Sequence, residues 1–259
     1  MKRLIFDSHA HYDDEVFAPD RDELLQALPG RGVSTIVSMG ADYAGCVGAL
    51  ELASRYSYIY AAVGIHPQNV AGLPEDYLQQ VEAWAKQPKV VAIGEIGLDY
   101  HYEDMAPKEQ QKQVLEDQLL LANRLGLPVV IHDRDAHGDT MEQLQKHRPK
   151  GVVHCYSGSV EMMKEIIALG MYIGLGGVVT FKNARVPVEV AKAVPLDRLL
   201  LETDAPYLAP EPFRGKRCDS SMIQYVAEKI GDLRGQSAEE ILRAGMRNGE
   251  TLFALSAEE

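Results

Sequence analysis

Apolar runs rich in β-branched residues recur along the chain at intervals too long for hairpins, and the stretches between them carry helical periodicity, the pattern of a parallel sheet with crossover helices. Eight such runs stand out: Leu4 to His11, Ser34 to Gly40, Tyr58 to His66, Val90 to Asp99, Pro128 to Asp133, Gly151 to Ser157, Tyr172 to Gly177 and Leu199 to Pro206. Helices are predicted near residues 20–28, 43–56, 75–86, 107–125, 138–147, 159–169 and 187–194, with two more after the eighth strand. The clearest is 107–125: Val114, Leu115, Gln118, Leu119, Ala122 and Leu125 draw one buried stripe, Pro107 sits early and Gly126 stands just past the end. Ser237 followed by Glu240 has capping-box spacing ahead of Ile241 and Leu242.

Alternation alone fits either a doubly wound open sheet or a closed barrel. The polar residues favour the barrel, whose functional groups gather at the C-terminal strand ends. The runs end in His9 and His11, His66, Glu95 and Asp99, His132, His154, and Asp204. The expected fold is therefore α/β, a (β/α)8 TIM barrel of the metal-dependent hydrolase type, with residues 1–259 forming one domain.

In a strand the alternation places His9 and His11 on one face, able to grip one ion, with Asp7 two residues upstream as an orienting partner. Alone, His-x-His is a weak signal. Glu95 lies in an apolar strand, where a bridging position between cations or a pairing with an arginine would remove its desolvation cost. His132 and His154, each read singly, could be satisfied core histidines; at equivalent strand ends they read as ligands. Asp204, on the strand adjacent to the first in a closed barrel, should face His9 and His11. The expected metal set is thus His9, His11, Glu95, His132, His154 and Asp204, holding two or more divalent ions. Mixed imidazole and carboxylate donors suit zinc, manganese, iron, nickel or magnesium, and such a site hydrolyses by activating water. Glu95 and Asp204 are the expected catalytic groups, Asp204 also accepting the proton of water.

Composition sharpens this picture. A hydrophobic content of 46% supplies a large core, while 26 basic against 38 acidic residues give a net charge of −12, which opposes non-specific nucleic-acid binding over long range. A phosphate-rich substrate would need metal ions or a confined basic patch. The loop after the eighth strand offers one in Phe213-Arg214-Gly215-Lys216-Arg217. Tyr207 and Phe213 could stack on a base or simply pack that loop. The three cysteines, Cys46, Cys155 and Cys218, form neither a disulfide framework nor a thiolate metal site. Cys155 reads as a packing residue and not a nucleophile. The N-terminal apolar stretch is too short for a signal peptide and no run could span a bilayer, so the expected setting is cytoplasmic, without a membrane partner.

The ordered motifs D-S-H-A-H from Asp7, G-I-H-P from Gly64, G-E-I-G-L-D-Y from Gly94, I-H-x-R-x-A from Ile131, H-C-Y-S-G from His154 and E-T-D-A-P-Y from Glu202 resemble the TatD family of metal-dependent deoxyribonucleases along almost the whole chain. The resemblance implies an amidohydrolase-like TIM barrel, Mg2+ or Mn2+ as activators, and 3′ to 5′ cleavage of single-stranded DNA or RNA. It assigns metal ligation to the same six residues and a phosphate contact to His66, whose alternative is a cap beside Pro67. Arg134 would clamp phosphate, or else pair with Asp133 or Asp135. With Arg214, Lys216 and Arg217 these complete the candidate substrate-binding set. The chain departs from the family in reading Cys218-Asp219-Ser220 where Asn-Glu-Pro usually follows G-K-R, and Gly245 to Glu250 where T-x-N-A is usual, which bears on substrate preference. Two other readings share the scaffold: hydrolysis of an ester or amide, such as a small molecule or a D-aminoacyl-tRNA, and a non-catalytic barrel that binds partners.

Overall fold

The computed structural model describes residues 3–102 and 105–255. Eight parallel strands, β1 (Ile5–Ala10), β2 (Val33–Met39), β3 (Ile59–Val63), β4 (Val90–Asp99), β5 (Val129–Arg134), β6 (Gly151–Val153), β7 (Tyr172–Leu175) and β8 (Leu199–Leu201), follow one another around a single sheet in chain order. The parallel bridge Ala10 to Ala205, with His11 N–H donating to Ala205 O at 2.7 Å and Asp204 N–H to His9 O at 2.9 Å, joins the last strand's end to the first. This seam decides for the barrel over the open sheet.

Nine α-helices stand among the described residues: α1 (Arg21–Ala27), α2 (Tyr43–Arg55), α3 (Tyr77–Ala85), α4 (Lys108–Leu125), α5 (His137–His147), α6 (Val160–Ala168), α7 (Arg185–Ala193), α8 (Ile223–Arg234) and α9 (Ala238–Leu252). Each expected helix is present to within about two residues of its ends. The α4 chain stops at Gly126, whose left-handed φ of 71° closes the helix, and Ser237 and Glu240 cap α9 reciprocally. Strands β3, β6, β7 and β8 end earlier than their apolar runs. After Val153 the chain passes through Cys155 at φ 42°, and after Leu201 through Asp204 at φ 60°, conformations that leave the sheet. None of the described helices is long and apolar enough to cross a membrane.

Two apolar layers hold the fold. Every strand sends at least one residue into an interior cluster that includes Phe6, Val37, Ala62, Ala92, Val130, Val152, Tyr172 and Leu200. Phe253, just past α9, joins this cluster and stacks on Phe6 with 6.0 Å between ring centroids. The larger cluster lies between strands and helices. The unusual α9 sequence belongs to this packing. Asn248 donates to Leu196 O and Leu199 O at 2.8 and 2.7 Å, and a Cβ on Gly249 would stand 2.6 Å from the Phe6 ring. Asn248 therefore fastens α9 to the barrel, and Gly249 lets the helix approach the Phe6 ring. Phe253→Ala should cost about 3–5 kcal/mol, seen as a lower denaturant midpoint with far-ultraviolet ellipticity retained in buffer.

Candidate metal centre

The β1–β8 seam sets the first half of the centre. Asp7 is fully buried and accepts from Thr203 N–H at 3.0 Å, from the Thr203 and Ser220 hydroxyls at 2.6 Å each, and from His9 N–H at 3.3 Å. It fixes the seam and does not reach the His9 ring, because the β1–β2 register shifts between Asp7 and Ala10 and breaks the strict alternation expected there. His9 and His11 nonetheless converge, with 3.1 Å between their Nε2 atoms. Glu95 Oε2 lies 3.4 and 3.3 Å from them and Asp204 Oδ1 3.5 and 3.6 Å. A tetrahedral ion with bonds of about 2.0–2.2 Å separates its donor atoms by about 3.3–3.6 Å. The four histidine-to-carboxylate separations have that spacing, and the two imidazole nitrogens stand slightly closer.

Glu95 reaches a second group with its other oxygen. Oε1 stands 2.9 Å from His132 Nδ1, 2.7 Å from His154 Nε2 and 3.5 Å from His66 Nε2. The β4–β5 register shifts between Ile93 and Ile96, which turns Glu95 out of the regular ladder. Gly97 lets the two strands meet beside it, since a Cβ there would lie 1.9 Å from His132 O. The sets His9–His11–Glu95, His9–His154–Asp204 and His66–Glu95–His132 each bring their donor atoms within 4.8 Å of one another.

Hydrogen bonds fix which nitrogen each ring can offer. His132 Nε2 faces Asp99 Oδ2 at 3.3 Å, so a proton held there leaves the Nδ1 lone pair toward Glu95. Asp99 had no assigned role in the sequence reading, although its place at the end of β4 was the available signal. His66 Nδ1 accepts from Gln68 N–H at 3.1 Å, as the cap beside Pro67. A neutral His66 then carries its proton on Nε2 and turns a donor toward the centre, which suits an anion better than a metal. Glu202 is a second residue the sequence reading passed over. Buried behind His154, it accepts from Cys155 N–H and has Oε1 3.8 Å from His154 Nδ1.

Burial, partly offset by Glu95, holds His9 well below the ordinary imidazole value, and burial brings His66 down to about 3; both rings are neutral. For His11 burial is outweighed by Glu95 and Asp204, and for His132 by Asp99 and Glu95, so both rise to about 9. Burial also opposes ionisation of Glu95, but the surrounding imidazoles, His154 foremost, hold it well below the carboxylate range. It raises Asp204 and takes Glu202 to about 8. His9 Nδ1, His154 Nδ1 and Glu202 Oε2 are buried without a hydrogen-bond partner. Lone-pair donors crowded to metal-ligand spacing around one carboxylate fit divalent ions and fit no hydrophobic packing role.

The comparisons agree with this chemistry. Residues 6–254 match the family described as TatD related DNase. The chain belongs to the TatD family. It is 41% identical to the metal-dependent hydrolase YabD of Bacillus subtilis strain 168, over 98% of this chain and 100% of that protein. It is 31% identical to the 3′-5′ ssDNA/RNA exonuclease TatD of Pantoea vagans, over 97% and 100% respectively. The structure of the TatD homolog YjjV from Escherichia coli K12 superposes with a TM-score of 0.92 at 34% identity, covering 99% of this chain and 100% of that one. This TatD-family chain is a metal-dependent hydrolase on a TIM barrel.

The remaining candidates divide by partner. Arg134 pairs with neither Asp133 nor Asp135, which face His137 and His101 at 2.8 Å; its guanidinium lies 5.1 Å above the Tyr102 ring. Arg214 lies over Phe181, and Lys216 is exposed. Arg217 instead forms a bidentate pair with Asp20 at 2.7 and 2.6 Å, so it ties the β8 loop to the segment before α1. Tyr207 Oη donates to Asp14 at 2.7 Å, and Phe213 packs edge-on to Tyr225, the packing alternative for both. Burial first, then Asp204 and Glu202, raises the Cys155 thiol well above its ordinary value, which suppresses the thiolate a nucleophile needs.

With their values raised to about 9, His11 and His132 carry protons at neutral pH when no ion is bound, and an ion must displace them. Metal affinity should therefore strengthen as pH rises from 6 to 9, by up to about tenfold per unit for each proton displaced. Chelator competition across that range measures it.

Proposed function

We propose that this hydrolase is a nuclease that shortens single-stranded DNA or RNA from the 3′ end, using two divalent ions, with Mg2+ or Mn2+ as activators. The observation that supports it most directly is the two-sided contact of Glu95. One oxygen faces His9 and His11 and the other faces His132 and His154, as a carboxylate shared between two ions requires. In this reading His9, His11, Glu95 and Asp204 hold one ion, and Glu95, His132 and His154 the other. The ions supply a lowered pKa for water and charge to neutralise the phosphoryl oxygens.

The chain's own groups do the rest. Asp204 takes the proton of the attacking water at its carboxylate, whose proton affinity burial raises. His66 Nε2–H donates to a phosphate oxygen. Arg134, free of both neighbouring acids, clamps a second phosphate oxygen with its fork. The name of the Pantoea vagans relative supports the choice of a single-stranded polymer.

The test is release of nucleotides from oligonucleotides labelled at either end, with Mg2+, Mn2+, Zn2+ or a chelator. Metal-dependent loss from the 3′ end is expected, with kcat lowered about 10²–10⁴-fold in Asp204→Asn. Wild-type protein that holds metal yet leaves every strand intact would move the substrate to an ester or amide. Elemental analysis checks the shared carboxylate: Glu95→Ala should lose both ions rather than one.

A further inference from the structure

Beside the centre, the loops after β7 and β8 form one wall. A Cβ on Gly177 would lie 1.9 Å from Leu208 O, and Thr180 Oγ1 accepts from Glu211 N–H at 2.8 Å. Beyond this junction a cavity of about 320 Å³ opens, lined by Phe181, Asn183, Arg185, Val186 and Arg214 among others. The Arg214 guanidinium carbon stands 4.3 Å from the centroid of the Phe181 ring, which holds a flat cation at the cavity wall. In sequence Lys182 and Lys216 flank these residues, and both are exposed.

Four cations gathered at one rim of a chain with net charge −12 call for an explanation. Among the described residues, none of Lys182, Arg185, Arg214 and Lys216 has an ion-pair partner, whereas Arg217 in the same β8 loop pairs with Asp20. Arg185 also opens α7, whose first turn holds no acid and whose N-cap offers no side-chain bond. A cation at a helix N-terminus works against the helix dipole, so folding does not account for it. An anion in the cavity does.

We propose that this cavity is a second nucleotide subsite for the single strand whose end lies at the metal centre. A base lies against the Arg214 guanidinium on Phe181, while Arg185, Lys182 and Lys216 hold the flanking phosphates. Stacking on a flat cation and an aromatic face tolerates any base, and the charges follow the backbone. The subsite makes the enzyme prefer strands over dinucleotides. The proposal rests on the nuclease reading above.

The double variant Lys182→Ala/Arg185→Ala tests it. These side chains have no partner to lose, and its melting temperature should equal that of wild type. Relative to wild type, the ratio of kcat/KM for a 12-nucleotide strand to that for a dinucleotide should fall about tenfold. In an Asp204→Asn background, which preserves the strand, anisotropy of a labelled 12-mer read against salt should lose about 0.7 of log–log slope per phosphate contact, about 1.4 for the pair. The charge-conserving Lys182→Arg/Arg185→Lys should keep the slope. An unchanged length preference and slope in an active nuclease would overturn the subsite alone. A wild-type enzyme that shortens no oligonucleotide under any metal would overturn the nuclease reading, and the subsite with it.

Discussion

The buried carboxylate of Glu95 is the constraint around which the rest of the centre is arranged. An ionised carboxylate removed from water is costly unless positive charge or donors surround it. Here five imidazoles, from His9, His11, His66, His132 and His154, stand within 3.5 Å of its two oxygens. No two adjacent strands could supply them. Only a closed sheet brings the ends of β1, β5 and β6 and the residues after β3 around one point on β4. The barrel is thus a condition of the site, and the seam held by Asp7, Thr203 and Ser220 is part of the chemistry although none of the three touches an oxygen of Glu95.

The interior is divided along the barrel. Below, Phe6, Phe253 and the strand residues around them fill the bore with apolar side chains, which supply the stability that a polar mouth cannot. Above, the strands stop early and the chain bends through Cys155 and Asp204 in left-handed conformations. Such geometry is tolerated where surrounding structure determines it, and it clusters at functional sites. At β8 the bend brings Asp204 alongside His9 through the bond from Asp204 N–H to His9 O.

Most of the centre was legible because ligand chemistry restricts residue type and a strand restricts position. His9, His11, His132 and His154 follow apolar runs, and closure of the barrel alone argued that Asp204 would face the first strand. Asp99 and Glu202 were less visible. A buried acid set beside an imidazole has no spacing signature, because its neighbour lies on another strand. The role of Asp7 was misread for a related reason, since a bulge cannot be seen in a pattern that assumes strict alternation. Loop residues were hardest. Arg217 and Arg214 lie three positions apart in one basic run, yet one is locked to Asp20 and the other rests on Phe181. Charge in a sequence shows what a side chain can attract, while only the fold shows what has already claimed it.

That distinction also bears on how an acidic protein can act on a polyanion. The overall charge repels a strand at distance, but screening confines that repulsion to about a Debye length, roughly 8–10 Å at physiological salt. Inside that distance the local arrangement governs. Several surface cations of the chain are spent on neighbouring acids, as in Arg55 with Asp22, Arg124 with Glu82 and Arg243 with Glu239. Cations left unpaired along the rim on which the centre opens therefore weigh more than their number suggests. Together with ions at the centre they would form a positive track on a negative body, one that holds a strand only along the line leading to Glu95.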